Sequence, residues 1–388
     1  MKICAIISEF NPFHNGHKYL IDKAHNLGYT HKIAIMSGNF VQRGEPAIVS
    51  KKARALAAMK NGINLVIEIP TVWAISTSER YAEAGVTIAD SLGCVDALVF
   101  GSESGNLKSL KSIAEITATP EFSSALKKYI STGVTFAKAR EQAVQELLRY
   151  SDISDCMQQA NNNLAIEYIK NLNRINSSIT PVCVKRSSAE NIISASEIRN
   201  LIYFGKNYKN YLPKTSEEII FEEIKNNLAP TNIQNAEKII LYKLKSMSQN
   251  DFKLLPDISE GLENRFLKAV NSSKNFEEIL FKIKTKRYTM SRIKRIIMAA
   301  VLDIKNQIQI QNVPYIRILG SDEKGFEILK AAKNSRLPII SKYSEIKNLS
   351  TFETEIFEKE CFCTSIYGLF LNKTKNFKSE QQFKLIRG

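Results

Sequence analysis

No apolar run in the 388-residue chain approaches the roughly 18 residues that a membrane-spanning helix requires. Met1 to Ser8 lacks the charged start and small-residue cleavage site of a secretion signal. Both absences lead us to expect a cytoplasmic protein with no membrane partner. Cysteine is scarce and scattered: the six stand at positions 4, 94, 156, 183, 361 and 363, with no CxxC pair and no histidine at metal-ligand spacing. No metal site is expected from them, and Cys4, Cys94 and Cys183, each in an apolar run, read as small core residues. No internal repeat is present. Acidic residues are in deficit, 39 against 54 Lys and Arg, which leaves a net charge of +15.

What is present describes a globular chain. Apolar residues are 44% and charged residues 24%, which excludes a wholly disordered or collagenous protein, and the length suits two or three compact units. The basic excess is uneven. Residues 1–200 carry 22 basic and 18 acidic side chains, whereas residues 201–388 carry 32 and 21. A front half near neutrality suits a small-molecule site; a basic rear half suits a polyanion, with nucleic acid ahead of membrane.

Strand and helix signals alternate through the front half. Ile3–Ser8, Lys32–Met36, Leu65–Ile69 and Asp96–Phe100 read as strands, separated by helical patterns from about His17, over Ser50–Gly62 and over Ser76–Gly93. A helix at Asn161–Leu172, a strand at Thr180–Val184 and a helix near Glu197, capped by Ser194 or Ser196, close this unit near residue 205. The alternation predicts an α/β domain: a parallel sheet covered by helices on both faces, with ligands gathering at the carboxyl ends of the strands. Residues 206–388 read as a second, mostly α-helical and basic region, with helices at 216–226, 235–247, 260–270, 276–283 and 291–305. The polar tail from Lys373 to Gly388 is expected to fray or to contact a partner.

Chemistry concentrates after the first strand. Glu9-Phe10-Asn11-Pro12-Phe13-His14-Asn15-Gly16-His17 forms a strand-to-helix junction that holds two of the four histidines. Backbone N–H groups at a helix start favour phosphate, Gly16 lets the backbone approach closely, and imidazoles at i and i+3 share one face. Arg186, beside a strand end, and Arg199 are candidates to hold phosphates through their planar forks. Arg43 and Glu45, on the long polar loop after the second strand, read equally as an ion pair or as groups facing the reacting atoms.

His14-Asn15-Gly16-His17 after a first strand, joined to Ile193-Ser194-Ala195-Ser196-Glu197-Ile198-Arg199, resembles the HIGH nucleotidyltransferase superfamily and its Rossmann-like fold. Longer strings are more specific: Glu9 to His17, Met36 to Pro46, Leu65 to Pro70, Phe100 to Glu103, Lys284 to Thr289 and Pro314 to Gly320 together resemble the tRNA(Met) cytidine acetate ligase family across most of the chain. The resemblance implies an ATP-dependent ligase that forms acetyl-adenylate from acetate and transfers the acetyl group to N4 of the wobble cytidine of elongator tRNA(Met). It implies ATP contacts at Ile7, Ser8, Glu9, Phe10, Asn11, Pro12, Phe13, His14, Asn15, Gly16, His17, Lys18, Tyr19 and Leu20, then at Gly101, Asn161, Arg186 and Ser187. His14 and His17 would be the catalytic pair, Ser196 and Arg199 further phosphate contacts, and Mg²⁺ the counter-ion. Where the family reads PNN, this chain has Ala160-Asn161-Asn162-Asn163, so Asn162 rivals Asn161.

For the RNA, Phe281 to Ala299 holds Lys282, Lys284, Lys286, Arg287, Arg292, Lys294 and Arg295 without an acid, with Tyr288 among them. That composition offers phosphate attraction and base stacking. No stable protein partner is implied. Two other classes stay open: a small-molecule adenylyltransferase acting on a phosphate acceptor, and a non-enzymatic RNA-binding protein that keeps a nucleotide fold. Lys245-Ser246-Met247-Ser248 superficially resembles the KMSKS loop of aminoacyl-tRNA synthetases, but it is scrambled and sits in a helical run.

Overall fold

The computed structural model describes residues 1–148, 153–259, 261–375 and 380–388. Strands β1 (Ile3–Ser8), β2 (His31–Ser37), β3 (Leu65–Ile69), β4 (Ala97–Ser102) and β5 (Thr180–Lys185) form the parallel part of one sheet. Alternation along the strands explains why helices cover both faces. Ile3, Ala5 and Ile7 join one apolar core, while Cys4 and Ile6 join another; Ile33 and Ile35 divide from Ala34 and Met36 in the same way.

Three later strands complete the sheet: β6 (Ile316–Ser321), β7 (Ile339–Ile340) and β8 (Ile386–Arg387). The order is β8-β6-β3-β2-β1-β4-β5, with β7 also paired to β6. β6 runs antiparallel to β3, so the sheet is not purely parallel, and it draws strands from beyond residue 205, across the expected boundary between the two regions. The chain winds from β1 through β2 to β3, then returns to place β4 on the other side of β1. The carboxyl ends of β1 and β4 therefore flank a topological switch point, where open α/β sheets bind ligands.

Helix starts follow local capping chemistry. Helix α1 (Asn15–Asn26) begins at His14, α2 (Lys51–Lys60) at Ser50 and α3 (Ser78–Ser91) at Thr77. Helix α4 (Ala160–Arg174) crosses behind β4. Ser194, rather than Ser196, caps α5 (Ala195–Tyr203), in a reciprocal capping box with Glu197. Helices at Leu107–Thr117, Pro120–Ser131 and Phe136–Leu148 intervene before α4. The later region is mostly helical. It includes Leu262–Ser272, Phe276–Ile283, α6 (Met290–Val301) and α7 (Thr351–Tyr367). Glu260, taken as the start of one helix, lies outside the described residues.

The tail does not fray where it is described. Ile386 and Arg387 pair with Gly320 and Ser321, and Glu380 is buried. Residues 376–379 of that tail lie outside the described residues. The Glu380 carboxylate lies 2.7 Å from Lys51 Nζ, which also meets Glu68 at 2.6 Å, while Arg317 stands 3.8 Å from the second Glu380 oxygen. Glu360 completes the cluster. Burial, and then the charge of Glu68, pushes its carboxyl up to about 8; burial also raises the Glu68 carboxyl, whereas Lys51 holds Glu380 below its ordinary value.

Removing one member of such a cluster strands the others. Glu380→Ala is expected to cost about 3–5 kcal/mol of stability in denaturant unfolding. A loss under 1 kcal/mol would show that Lys51 and Arg317 find other partners.

Candidate active site

Strand β1 ends in a turn whose shape is dictated by its side chains. Phe10 takes a positive φ of 47°, and Phe10 and Phe13 are both buried, their ring centroids 5.0 Å apart. His14 Nδ1 accepts from the Gly16 N–H at 3.0 Å, and His17 Nδ1 accepts from the His14 N–H at 3.2 Å. The helix is thus capped by two imidazoles, which stack with centroids 3.8 Å apart. A Cβ at Gly16 would stand 2.8 Å from His14 Cε1, so glycine is required there to let the ring fold over the helix start.

This geometry fixes both tautomers. A nitrogen that accepts from an N–H carries no proton, so each neutral ring bears its hydrogen on Nε2 and presents it as a donor. The rings stay neutral. Burial, followed by the charges of Arg186 and Arg199, lowers His14 to about 3; burial, then His14 and Arg186, holds His17 well below its ordinary value. Burial also raises the Glu9 carboxyl, against the pull of Arg199 and of the Gln42 N–H, which donates to it at 2.9 Å.

The second signature braces the turn. Arg199 Nη1 donates to the Asn11 carbonyl at 2.8 Å, and its Nη2 donates to Ser196 Oγ at 3.0 Å. Asn11 also accepts from the Ile48 N–H at 2.8 Å, and Asn15 donates to the Asn191 and Asn210 carbonyls at 3.0 Å each. Arg43 reaches Ser196 Oγ at 3.4 Å, while Glu45 pairs with Lys294 at 2.5 Å. Arg43 and Glu45 therefore do not pair with each other: each bonds to another element.

Across the switch point, Gly101 lies near the end of β4, paired with Val184, and Arg186 follows β5 with an exposed side chain. Among the described residues the Arg186 guanidinium makes no hydrogen bond or ion pair, which leaves its donors to an incoming anion. Ser187 Oγ accepts from the Ala189 N–H at 3.2 Å. Asn162 is buried, and its Oδ1 accepts from Ser102 Oγ at 2.5 Å and from the Glu103 N–H at 3.0 Å. Asn161 is only partly buried and donates to Glu103 at 2.6 Å. Both asparagines hold the loop after β4, Asn162 from a buried position and Asn161 from a half-buried one. Lys18, Tyr19 and Leu20 continue along α1, partly exposed.

The basic segment differs in exposure. Lys284, Lys286 and Arg287 are exposed, and Lys284 Nζ donates to the Thr285 and Tyr288 carbonyls at 3.0 Å each. Lys282 donates to the Ser272 carbonyl at 2.5 Å and so joins two helices, while Arg292 donates to the Asp257 carbonyl at 2.7 Å and Arg295 to the Asp257 carboxylate at 2.7 Å, tying α6 to the turn there. Tyr288 is corrected: only 7% exposed, with the Arg292 guanidinium 5.3 Å from its ring centroid, it offers no face to a base. The exposed ring there is Phe281, at 83%.

The sheet, the turn on its first strand and the paired imidazole donors define a nucleotidyltransferase. The HIGH Nucleotidyl Transferase family model matches residues 1–382. The chain is 43% identical to the tRNA(Met) cytidine acetate ligase of Thermoanaerobacter sp. (strain X514), with 95% of each chain covered, and 37% identical to that of Thermosipho africanus, with 99% and 98% covered. The solved structure of Thermotoga maritima TmcAL bound with alpha-thio ATP superposes with a TM-score of 0.94 over 100% of both chains, at 30% identity. The chain belongs to the tRNA(Met) cytidine acetate ligase family of HIGH nucleotidyl transferases.

The depressed imidazoles carry a pH dependence. In the unfolded chain they protonate near 6.5, whereas in the fold they resist protonation, so acid favours unfolding and their stabilisation is lost as pH falls below about 6.5. His14→Asn is expected to flatten the rise of unfolding free energy between pH 4 and 6.5, by up to about 1.4 kcal/mol per pH unit. Equal slopes in denaturant titrations of both proteins would show that His14 is not held neutral.

Proposed function

We propose that this protein activates acetate with ATP and passes the acetyl group to N4 of the wobble cytidine of elongator tRNA(Met). The observation that carries the reading is the twin imidazole cap at the switch point. Two neutral donors and the unengaged Arg186 converge where a triphosphate is recognised by such folds. The supporting relatives share the name and span the chain at nearly full length.

In this reading the triphosphate lies along residues 7–20, against Gly101, Asn161, Arg186 and Ser187. Acetate is already ionised at pH 7, as Asp and Glu are, and needs no general base. Its oxygen forms a bond to the α-phosphorus, and the bond to the pyrophosphate oxygen breaks. His14 and His17 donate from Nε2 to phosphate oxygens as charge moves toward the leaving group, and Arg186 neutralises it. Arg199 acts differently from a phosphate fork, since its donors hold Asn11 and Ser196 in place. In the second step the cytidine amine attacks the acetyl carbonyl, the mixed-anhydride bond breaks, AMP leaves and the amine sheds a proton.

Among the described residues no group of three or more His, Cys, Asp or Glu side chains is arranged to hold a metal ion. Magnesium would be held by the nucleotide's own phosphate oxygens. Among the described residues no helix is long and apolar enough to cross a membrane, and the reading calls for no membrane contact.

His17→Ala is expected to slow acetate-dependent ATP–pyrophosphate exchange about 10²-fold, the usual cost of one transition-state donor. The melting temperature reports whether the helix cap survives. Undiminished exchange in a folded variant would remove His17 from the mechanism. N4-acetylcytidine at position 34, read by mass spectrometry after reaction with labelled acetate, tests the overall activity.

The exposed cations make a separate prediction for RNA affinity. Neutralising Lys284, Lys286 and Arg287 together is expected to reduce the slope of log affinity against log salt by about 2–3. An unchanged slope would place tRNA elsewhere.

A further inference from the structure

A cleft of about 560 Å³ opens beside the turn, and neither Gly101 nor Arg186 is in its lining. Its floor is built from three elements distant in sequence: the loop after β2 supplies Arg43, α5 supplies Arg199, and α6 supplies Lys294. These elements meet closely. Gly44 has φ of +74°, and a Cβ there would stand 2.4 Å from the Arg295 backbone nitrogen, so the loop is pressed directly onto α6. Arg199 forms the partition, because the same guanidinium that lines the cleft holds the Asn11 carbonyl of the imidazole turn.

The lining has the chemistry of a nucleotide receptor. Three cations against Glu45 leave a positive excess, suited to phosphodiesters. Phe204 is 75% exposed and Tyr203 39% exposed at the rim, so apolar ring faces stand in water without cover. The Asn200 and Gln234 carboxamides line the cleft and make no hydrogen bond among the described residues. Each offers a donor and an acceptor, which is what the edge of an unpaired base requires. The volume falls within the ~300–1,000 Å³ of small-molecule clefts, and α6 leads from it toward the exposed Lys284–Arg287 cations.

We propose that this cleft receives the acceptor nucleotide: a single unpaired pyrimidine of an RNA loop, its base over Phe204 and Tyr203, its edge read by Asn200 and Gln234, and its flanking phosphates on Arg43 and Lys294. The assignment rests on the ligase reading above and adds to it the place of the second substrate. Acetyl-adenylate forms on one side of the Arg199 partition and the amine arrives from the other. In this arrangement the cleft contributes to transfer and not to adenylate formation.

Two variants, Phe204→Ala and Asn200→Asp, separate the half-reactions; the second replaces the donor and acceptor at the base edge by a charged group that only accepts, without removing volume. Acetate-dependent ATP–pyrophosphate exchange, measured without RNA, is expected to stay within twofold of the parent. The KM for tRNA(Met) in acetyl transfer is expected to rise about tenfold or more. Unchanged transfer in both variants overturns the proposal. So does a parallel loss of exchange, which would assign the cleft to the ATP site. If the parent protein exchanges pyrophosphate without acetate, the ligase reading fails instead. In that case the cleft is decided by binding of a fluorescent anticodon stem-loop, with weakening in Asn200→Asp supporting it and equal affinity overturning it.

Discussion

The imidazole turn stands on one buried guanidinium. Arg54 donates from Nη1 to the Glu9 and Ser37 carbonyls at 2.7 and 2.9 Å, from Nη2 to the Gly38 carbonyl, and from Nε to the Val49 carbonyl at 3.1 Å. These acceptors lie where β1 and β2 run out of neighbours and where the following loop folds back. Without a donor they would be buried and unpaired, each at the full cost of its desolvation. One side chain therefore sets the relative height of two strand ends and the loop between them. Burial lowers its pKa only to about 10, so it remains a cation at neutral pH.

Charge around that guanidinium is kept in balance by position. Lys51, three residues before Arg54, carries the second buried cation and draws Glu68 and Glu380 around it. At the open end of β1 the balance is deliberately unequal. Burial, helped by Arg186 at both rings and by Arg199 at His14, keeps the imidazoles neutral, so a polyanion arriving there meets neutral donors beside a positive guanidinium. Electrostatics and capping thus act on the same two rings, one choosing their charge and the other the nitrogen that holds the proton.

The alternating strands and helices of the front half were legible because each strand is a short apolar run bounded by a cap or a glycine. The imidazole turn was legible because polar residues of that kind at a strand-to-helix junction have few structural uses. Strand β6 was not, since Arg317 interrupts its apolar run. That arginine is met by partners distant in sequence: Glu380, and the faces of Phe357 and Phe383, 5.1 and 5.5 Å from its guanidinium carbon. Tyr288 looked like a stacking platform because composition reports neighbours and not direction. Its ring turns inward beneath Arg292, while Phe281 in the same segment turns out. The Glu45 to Lys294 contact spans 249 positions and leaves only Gly44 as a local trace.

The late arrival of β6 has a consequence for biosynthesis. While a ribosome is still making the helical region, Leu65–Ile69 presents a bare border, apolar except for Glu68, to the cell, the kind that templates clumping. Closure waits until translation has passed Ser321, and by then α6 already exists.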